Sequence, residues 1–408
     1  MGIVPPSPTP LPTNVAPLPR LLAYSQALGL ARHLRRPKRG LPTLVLAVVW
    51  LVLAWRGSGR PHHLADLDEP RLAALLGGRL PCPKPLHRSL DHFAAHDVRA
   101  AVEAAYLAEL PHRTGRIWVA IDAHQLPYWG RGKLDRFQKG WAGAPGRPLR
   151  GYRLYLAVDT DTGQVLTYLL ARGGRRDHQV LAVLSRRGRA LLGRRLAGVV
   201  ADRGFTSRAA VAAMAATGVP VILGFARSAP IRRRLASLSR QQRRGLRDSG
   251  AIRLGACPWD ERLRLFALGA RRPGDQRGPW VYVTSLRSVG PQRLAATYRR
   301  RWRAEQTIEA LHNGHDLDHL ASTRFHPNQI AVGFRLLARN LAIGHQIHEA
   351  QARPAVIREP RAFRVAQVEG LGTFGLAPEA IVITPRRAQA EAPPCRLPWI
   401  QQTVRYAA

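Results

Sequence analysis

The fold of this 408-residue chain is constrained most by an ordered series of strand and helix patterns that begins at residue 116. Residues 116–122 read RIWVAID, in which apolar side chains alternate as they do along a half-buried strand. Residues 151–171 contain two more alternating segments, which are joined by the turn-forming residues DTDTG. This pattern predicts one strand followed by a β-hairpin.

Helices and buried strands then alternate along the chain. Residues 177–192 have the pattern of a helix, and residues 196–202 form a short apolar strand that ends in Asp202. Residues 206–217 predict a second helix, and residues 219–225 predict a further strand. The order strand, strand, strand, helix, strand, helix, strand indicates an α/β layer, a mixed sheet with an antiparallel edge.

Acidic residues stand at the ends of two of these strands. Asp122 ends the first strand, and Asp202 ends the strand that follows the first helix. Neighbouring strands of one sheet can bring their C-terminal carboxylates together. We therefore expect the Asp122 and Asp202 side chains to lie near each other.

A third carboxylate lies in residues 294–312, a segment without proline or glycine whose composition suits a helix. Within it, Tyr298 and Arg301 precede Glu305 by seven and four residues. His312 follows Glu305 by seven residues, so a regular helix places all four side chains on one face. A solvated charged face is the alternative interpretation. The two upstream aspartates favour a helix that lies across the sheet and adds Glu305 to the pair.

The charge of the chain points to a polyanionic partner. With 63 basic and 26 acidic residues, the formal net charge is +37, and such a chain repels itself unless it meets nucleic acid or a similar surface. A membrane surface is the alternative, but no basic amphipathic helix stands beside an anchor. The most apolar segment, residues 43–55, is shorter than the roughly 18 residues of a membrane span, and we expect a buried core helix.

The acidic cluster predicts a divalent-metal site. The three cysteines, Cys82, Cys257 and Cys395, have no CxxC spacing, which disfavours a cysteine-based zinc site and a disulfide framework and fits a reducing cytoplasm. Three carboxylates in one place repel unless cations neutralise them, and oxygen ligands favour Mg²⁺ or Mn²⁺. Two such ions about 4 Å apart can activate an attacking oxygen and stabilise the leaving oxygen of a phosphodiester. Together with the charge, this predicts phosphoryl transfer on DNA or RNA.

Three segments resemble the catalytic blocks of DDE transposases of bacterial insertion sequences. They are residues 119–130 (VAIDAHQLPYWG), residues 199–207 (VVADRGFTS) and residues 298–312 (YRRRWRAEQTIEALH). The resemblance covers roughly residues 115–350. It implies a ribonuclease-H-like catalytic core with a β-rich insertion between the second aspartate and the glutamate.

The third block is similar to the group of these transposases that carries a Tyr, Arg, Glu, Lys signature. Tyr298, Arg301 and Glu305 match the signature in residue type and spacing, and His312 stands where the signature has lysine. The resemblance implies that Tyr298 and Arg301 contact transposon-end phosphates. It implies the same role for His312 more weakly, because histidine is shorter than lysine and only partly charged near neutral pH. It also implies a full set of catalytic metal ligands, which are Asp122, Asp202 and Glu305.

As a function, the resemblance implies a DNA transposase that binds terminal inverted repeats, cleaves DNA and transfers the 3′-hydroxyl into target DNA. It further implies Mg²⁺, with Mn²⁺ as a substitute and two ions in the site, and a homodimer on DNA. The expected location is the bacterial cytoplasm, at the nucleoid when bound to DNA. Two alternatives stay open: a non-catalytic DNA-binding protein derived from a transposase, and a ribonuclease-H-like nuclease that never joins strands.

The remaining sequence suggests a domain order. Residues 1–19 are proline-rich and are predicted to be a disordered leader. Residues 20–112 show only helical patterns and form either a DNA-binding module or a helical cap on the next domain. The catalytic domain is predicted over residues 113–350, with the insertion at about 225–288, and residues 351–408 form a tail without an assigned role. Helices in the N-terminal part are predicted over residues 21–33, 43–55, 69–76 and 87–110.

Further candidate DNA contacts are basic. Arg203 follows the second aspartate, and one predicted helix, residues 231–248, carries an arginine cluster. The cluster favours contacts with the DNA backbone, and a merely solvated helix is the alternative. Its members are Arg232, Arg233, Arg234, Arg240, Arg243 and Arg244.

Several single residues have two interpretations. Trp259 and Trp280 are candidates to stack on an unpaired base, although tryptophan is more often part of a core. His124 either approaches the substrate or is structural, and Glu309 is an alternative metal ligand one helical turn beyond Glu305. Asp177 opens a predicted helix, where an N-cap is expected. The acidic residues of the hairpin turn, Asp159 and Asp161, are expected to serve the turn itself.

Overall fold

The structure is a computed structural model. It describes residues 11–13, 18–34, 43–67, 70–76, 80–140, 149–171, 177–248, 250–269, 279–350, 357–368, 372–376, 380–385, 395–396 and 403–406.

The described ranges contain α-helices, β-strands and short 3₁₀ segments. The helices are α1 (Leu18–Ala27), α2 (Thr43–Trp55), α3 (Pro70–Leu75), α4 (Pro83–Ser89), α5 (Ala95–Leu107), α6 (Asp177–Leu192), α7 (Arg208–Thr217), α8 (Ala229–Ala236), α9 (Arg240–Asp248), α10 (Pro291–Arg299), α11 (Trp302–His315), α12 (Phe325–Ala350) and α13 (Pro360–Gln367). The strands are β1 (Leu11–Thr13), β2 (Ile117–Pro127), β3 (Gln138–Gly140), β4 (Leu149–Asp159), β5 (Val165–Ala171), β6 (Leu196–Ala201), β7 (Val221–Phe225), β8 (Ala251–Cys257), β9 (Asp260–Leu268), β10 (Trp280–Thr284), β11 (Gly372–Leu376), β12 (Ala380–Pro385), β13 (Cys395–Arg396) and β14 (Thr403–Tyr406). The 3₁₀ segments are Leu30–His33, Pro61–Leu67, Leu110–His112, Gly193–Arg195 and Arg203–Phe205.

The chain divides into two compact units. The sheet unit comprises residues 113–125 and 137–308, and the helical unit comprises residues 1–112, 126–136 and 309–408. The helical unit therefore joins the predicted N-terminal domain to parts of the predicted catalytic domain and tail, a division that follows contacts in space and not chain order.

The sheet unit is built on one mixed sheet. Its strand order is β3-β4-β2-β6-β7-β10-β9-β8, and β5 pairs with β4. β2, β6 and β7 run parallel, whereas β4 and β5 form the predicted antiparallel hairpin. The five core strands thus lie in the order β5, β4, β2, β6, β7, which is the ribonuclease-H-like arrangement expected from the sequence. Their inward residues are almost completely buried.

The β-rich insertion extends this same sheet. β10 pairs antiparallel with β7, with Val281 opposite Phe225, and β9 and β8 continue outwards. The prediction of one basic helix over residues 231–248 is wrong, because two helices, α8 and α9, replace it. A reciprocal pair of hydrogen bonds between Ser239 and Gln242 forms a capping box that starts α9 afresh.

The helical unit packs around the buried helix α12. α2 lies against it, as expected for a core helix, and the Trp55 indole donates to the Ala338 carbonyl oxygen at 2.8 Å. The Asn340 amide donates to the Val102 carbonyl oxygen at 3.1 Å and links α12 to α5. The single helix predicted over residues 87–110 is wrong, since a turn separates α4 from α5. None of the helices in the described ranges is long and apolar enough to cross a membrane.

The two chain ends form a second, smaller sheet in the order β1-β11-β12-β14-β13. β1 pairs antiparallel with β11, with Leu11 opposite Phe374. Disorder was predicted over residues 1–19, and this is wrong for β1 and for the start of α1, while residues 1–10 and 14–17 lie outside the described ranges. The pairing joins segments far apart in sequence, so local composition could not reveal it.

Candidate active site

Two aspartates meet where the parallel strands β2 and β6 lie side by side. Ile121 of β2 is opposite Ala201 of β6 in the pairing register. Asp122 and Asp202 are the next residues of the two strands and therefore emerge at the same edge of the sheet. The sequence prediction placed them there. It placed the end of β2 wrongly, because that strand continues to Pro127.

The turn that carries Asp202 is fixed against β7. After Asp202 the chain enters a 3₁₀ turn, in which the Phe205 amide donates to the Asp202 carbonyl oxygen at 3.1 Å. The Thr206 hydroxyl donates to the Gly224 carbonyl oxygen at 2.6 Å. A Cβ at Gly224 would lie 2.7 Å from the Arg203 amide nitrogen, so only glycine allows this close approach.

The segment that carries Glu305 is broken, contrary to the prediction of one continuous helix. α10 ends at Arg299 and α11 begins at Trp302. At the break, the Arg301 amide donates to the Tyr298 carbonyl oxygen at 2.9 Å, an i to i+3 contact that tightens the chain. The segment contains no proline or glycine, so no breaker residue signalled the turn.

Arg301 connects the helix segment to the aspartates. Its guanidinium Nη1 lies 3.4 Å from Asp122 Oδ2, and Nη2 donates to Glu305 Oε1. The side chains of Arg301 and Asp122 are 17% and 16% exposed, and that of Glu305 is 34% exposed. One cation thus bridges two of the three predicted catalytic carboxylates.

The electrostatics of these groups are coupled. Burial raises the pKa of the Asp122 carboxyl to about 6; Arg301 opposes this shift, and the carboxylates of Glu305 and Asp202 add to it. Burial alone would lower the pKa of the Arg301 guanidinium, but Tyr298 and the three carboxylates raise it above its ordinary value. Glu305 and Asp202 therefore both lie close enough to Asp122 to act on its ionisation, as expected for a single site.

Tyr298 forms the apolar wall beside Arg301. The Arg301 guanidinium carbon lies 5.8 Å from the centre of the Tyr298 ring, within cation–π range. The Tyr298 ring also contacts the Tyr282 ring, with 4.1 Å between their centres. Burial raises the pKa of the Tyr298 hydroxyl well above its ordinary value, so the side chain stays a neutral donor.

A supporting network that the sequence did not reveal lies beside the Asp202 turn. Asp177, the first residue of α6, accepts hydrogen bonds from Arg153 at 3.0 Å and from the Tyr155 hydroxyl at 2.8 Å. The Tyr155 ring makes an edge contact with Phe205 of the turn. Asp177 was predicted only as a helix cap. Arg153 and Tyr155 stand two residues apart on β4 and therefore share a face of the sheet, but this spacing does not identify their partner.

The donor set suits a hard divalent cation. The three carboxylates offer only oxygen ligands, and their mutual repulsion would fall on binding a cation. In the described ranges, no three His, Cys, Asp or Glu side chains are already drawn together around one point. Arg301 instead contacts two of the carboxylates, which are near enough to act on each other's ionisation.

The remaining candidate residues are two histidines, a second glutamate of α11 and the basic residues. His312 belongs to the helical unit and pairs with Asp318, with 2.9 Å between His312 Nδ1 and Asp318 Oδ2. His124 lies on β2, two residues past Asp122, and Glu309 is exposed on α11. The clustered arginines of α8 and α9 are exposed, and so is Arg203.

The two candidate stacking tryptophans are packed on protein. The Trp259 ring lies 4.4 Å from the Phe225 ring, centre to centre. Trp280 packs on the apolar cluster of Ala251, Leu268 and Ala295. These contacts favour the core interpretation of both residues. The exposed tryptophans of the described chain are Trp129 and Trp302, at 71% and 56% exposure.

Comparisons with known proteins bear on this geometry. The family model described as "Transposase DDE domain" matches residues 113–341, a range that includes Asp122, Asp202 and Glu305. A search of the curated proteins finds no match. Among solved structures, the chain is similar to a piggyBac transposase in a synaptic complex with hairpin DNA, determined by cryo-EM. The two are 13% identical, with a TM-score of 0.44, and the match covers 88% of this chain and 82% of that one.

Transposases of the DDE family cleave and transfer DNA strands and generally use divalent metal ions. The family match spans more than half of the chain. It covers the strands that carry both aspartates and the helix that carries the glutamate. The chain therefore belongs to the transposase DDE domain family and is a DNA transposase.

Proposed function

We propose that the chain is the transposase of an insertion sequence and acts at the terminal inverted repeats of its own element. It hydrolyses a phosphodiester at each end, which frees a 3′-hydroxyl. That hydroxyl then attacks a phosphodiester of target DNA, forming one P–O bond as the target's own P–O bond breaks. The observation that supports this best is the position of Asp122 and Asp202, each directly after the register pair Ile121 and Ala201 of the parallel strands β2 and β6, with Arg301 linking Asp122 to Glu305.

The three carboxylates are the proposed metal ligands. Asp122, Asp202 and Glu305 would hold Mg²⁺, or Mn²⁺ as a substitute, with two ions in the complete site. When bound, these ions stabilise charge on the attacking and leaving oxygens of the phosphodiester. Because Asp122 lies on β2 and Asp202 directly follows the adjacent strand β6, the sheet would fix their spacing before DNA arrives.

Basic and aromatic residues around the carboxylates are the proposed DNA contacts. Arg301 offers a planar guanidinium beside the carboxylates, which suits bidentate contact with a phosphate. Tyr298 orients that guanidinium, and the exposed Trp302 offers an apolar face next to it. Arg203 and the arginine cluster of α8 and α9 would bind the backbone further along. His312 is a weaker candidate, since Asp318 already engages its ring.

Two transposon ends must be handled together, so the proposed active form is a homodimer on DNA. This proposal comes from the family resemblance and not from any residue of the chain. Sedimentation or light scattering with end DNA would give the stoichiometry. A complex that contains one chain and still joins both ends would contradict the dimer.

The decisive experiment is Mg²⁺-dependent cleavage of DNA that carries the ends of the encoding element. Glu305→Gln keeps the size of the side chain but removes its charge, and we expect cleavage at the ends to disappear. Glu309→Gln is the matched control, because Glu309 lies one turn further along α11 and is exposed. Cleavage that survives Glu305→Gln but not Glu309→Gln would transfer the metal-ligand role to Glu309.

A second variant separates chemistry from binding. We expect Asp122→Asn to abolish cleavage while end binding, measured by gel shift, is retained. Loss of both together would argue against the metal-ligand role. Joining of a labelled, pre-cleaved end to plasmid DNA then distinguishes a transposase from a nuclease that never joins strands.

A further inference from the structure

An exposed loop follows the strand that carries Asp122. β2 ends at Pro127, and residues 128–137 connect it to β3. Trp129 in this loop is 71% exposed, more than any other large hydrophobic side chain in the described ranges. An indole left this far in water loses the stabilisation that burial would give, and such exposure often marks a binding surface.

Most of the charged residues that follow Trp129 in the loop are positive. Arg131, Lys133 and Arg136 are all exposed, and Asp135 is the one acidic residue between Trp129 and Arg136. Asp135 contacts Arg136, at 3.6 Å between carboxylate and guanidinium. The cationic groups of Arg131 and Lys133 form no ion pair with any described residue. The loop therefore presents an aromatic face beside free positive charge.

The loop is anchored by contacts within the helical unit. Leu134 is buried at 2% exposure, and the Asp135 amide donates to the Thr323 carbonyl oxygen at 2.8 Å. A Cβ at Gly130 would lie 2.4 Å from the far end of the Tyr128 side chain, so the chain at Gly130 folds closely over that ring. These contacts hold the base of the loop in place and leave its outer side chains free to bind.

The backbone at the end of the loop is strained. Arg136 has φ +51°, in the left-handed region that a residue with a Cβ rarely adopts. Such a conformation costs free energy and persists only where surrounding contacts impose it. Here the neighbouring Asp135 amide is held by Thr323, which fixes the chain on one side of Arg136.

We infer that this loop is a binding site for unpaired DNA strand, with the Trp129 indole stacking on a base and Arg131 and Lys133 contacting the flanking phosphates. The inference rests on the proposed function only in taking DNA as the substrate. An aromatic face accepts any base, because every base has a π-face, while the cations follow the backbone. In an intact duplex the bases stack on each other and offer no free face to an exposed indole.

Equilibrium binding of fluorescein-labelled oligo-dT, compared with a duplex of equal length, tests the inference. We expect Trp129→Ala to weaken binding of oligo-dT about tenfold, the order of magnitude of one lost base stack. Duplex binding should be unchanged, and Trp129→Phe should restore most of the loss. Because Trp129 is largely exposed, we expect both variants to melt like the wild-type protein.

A charge variant tests the rest of the site. In a plot of log affinity for oligo-dT against log salt concentration, the double substitution Arg131→Gln and Lys133→Gln should reduce the steepness of the slope by about 1.4. Each lost phosphate contact contributes roughly 0.7 to that slope for a single strand. Arg262→Gln is the control, because Arg262 is an exposed arginine of the sheet unit, 71% exposed and paired with Asp260. An equal change in the control would overturn the proposed phosphate contacts.

Two results would overturn the stacking role. One is unchanged oligo-dT binding by Trp129→Ala, and the other is an equal loss for oligo-dT and duplex, which would indicate a contact with paired DNA. Failure of the proposed function is distinguishable from either. A wild-type protein that does not cleave end DNA in Mg²⁺ but loses oligo-dT affinity through Trp129→Ala would keep this site and refute the catalytic role.

Discussion

At the scale of single residues, the positive charge of Arg301 reduces the repulsion among the carboxylates of the site. Burial disfavours the charged form of Asp122, and the carboxylates of Glu305 and Asp202 disfavour it further. The Arg301 guanidinium contacts Asp122 and Glu305 together and opposes these effects in part, since the pKa of Asp122 stays raised. We propose two roles for Arg301. Its positive charge reduces the repulsion among the carboxylates, and its guanidinium binds a phosphate that approaches the same carboxylates.

Arg301→Lys separates charge from geometry. Lysine keeps the positive charge but lacks the planar fork that reaches two carboxylates at once. We expect single-turnover cleavage of end DNA to fall about a hundredfold, the order of magnitude caused by small misplacements of catalytic groups. Arg299→Lys is the matched control, since Arg299 is exposed at the end of α10. Unchanged cleavage by Arg301→Lys would show that only the charge matters.

At the scale of elements, the β4–β5 hairpin positions the helix that carries Glu305. The Thr307 hydroxyl donates to the Gly163 carbonyl oxygen at 3.0 Å, and Arg303 Nη2 donates to the Asp161 carbonyl oxygen at 3.3 Å. Thr307 is buried and stands two residues after Glu305. The turn was predicted from its DTDTG sequence, but its contact with α11 was not, because turn signals describe only the local chain.

Gly163→Ala should disturb that contact. Gly163 has φ +75°, and a Cβ there would lie 3.1 Å from Thr307 Oγ1 and 3.2 Å from Arg303 Cδ. Gly193→Ala is the matched control, because Gly193 also has positive φ, +53°, but has no neighbour within 4 Å of an added Cβ. Each variant should lose about 1–2 kcal/mol of unfolding free energy from backbone strain. We expect only Gly163→Ala to lose cleavage activity as well, by about tenfold. Equal cleavage by the two variants would exclude a positioning role for the hairpin.

The predicted and observed elements agree where the sequence pattern is local. The alternation in residues 116–122 and the short apolar segment of residues 196–202 were enough to predict that Asp122 and Asp202 lie near each other, because neighbouring strands can bring their C-terminal carboxylates together. The break at Arg301 was not predictable, since i to i+3 hydrogen bonds and contacts with Asp122 compete there with good helix formers. The packing of Trp259 on Phe225 was also out of reach, because Trp259 lies in the turn between β8 and β9, whereas Phe225 is the last residue of β7.

At the scale of the whole molecule, the net charge of +37 predicts strong and salt-sensitive binding to DNA. The arginines of α8 and α9 are not equal candidates for this binding. Arg234 donates to the Ala256 carbonyl oxygen, and Arg243 donates to the Leu238 and Ala236 carbonyl oxygens. Arg233 and Arg240 are exposed and have no such contact in the described ranges. We therefore assign the proposed backbone contacts of this cluster chiefly to Arg233 and Arg240.

Removing those two charges tests whether the cluster touches DNA or only adds to the overall field. If Arg233 and Arg240 each contact a phosphate, the double substitution to glutamine should lower the slope of log affinity against log salt by about 1.8 on duplex DNA. The control also removes two charges, through Arg186→Gln in α6 and Arg194→Gln in the 3₁₀ segment that follows α6, and both positions are exposed. Both proteins then carry the same net charge, so long-range attraction falls equally. A slope that changes by the same amount in both would show that the insertion contributes charge without contact, and that the DNA backbone is bound elsewhere on the protein.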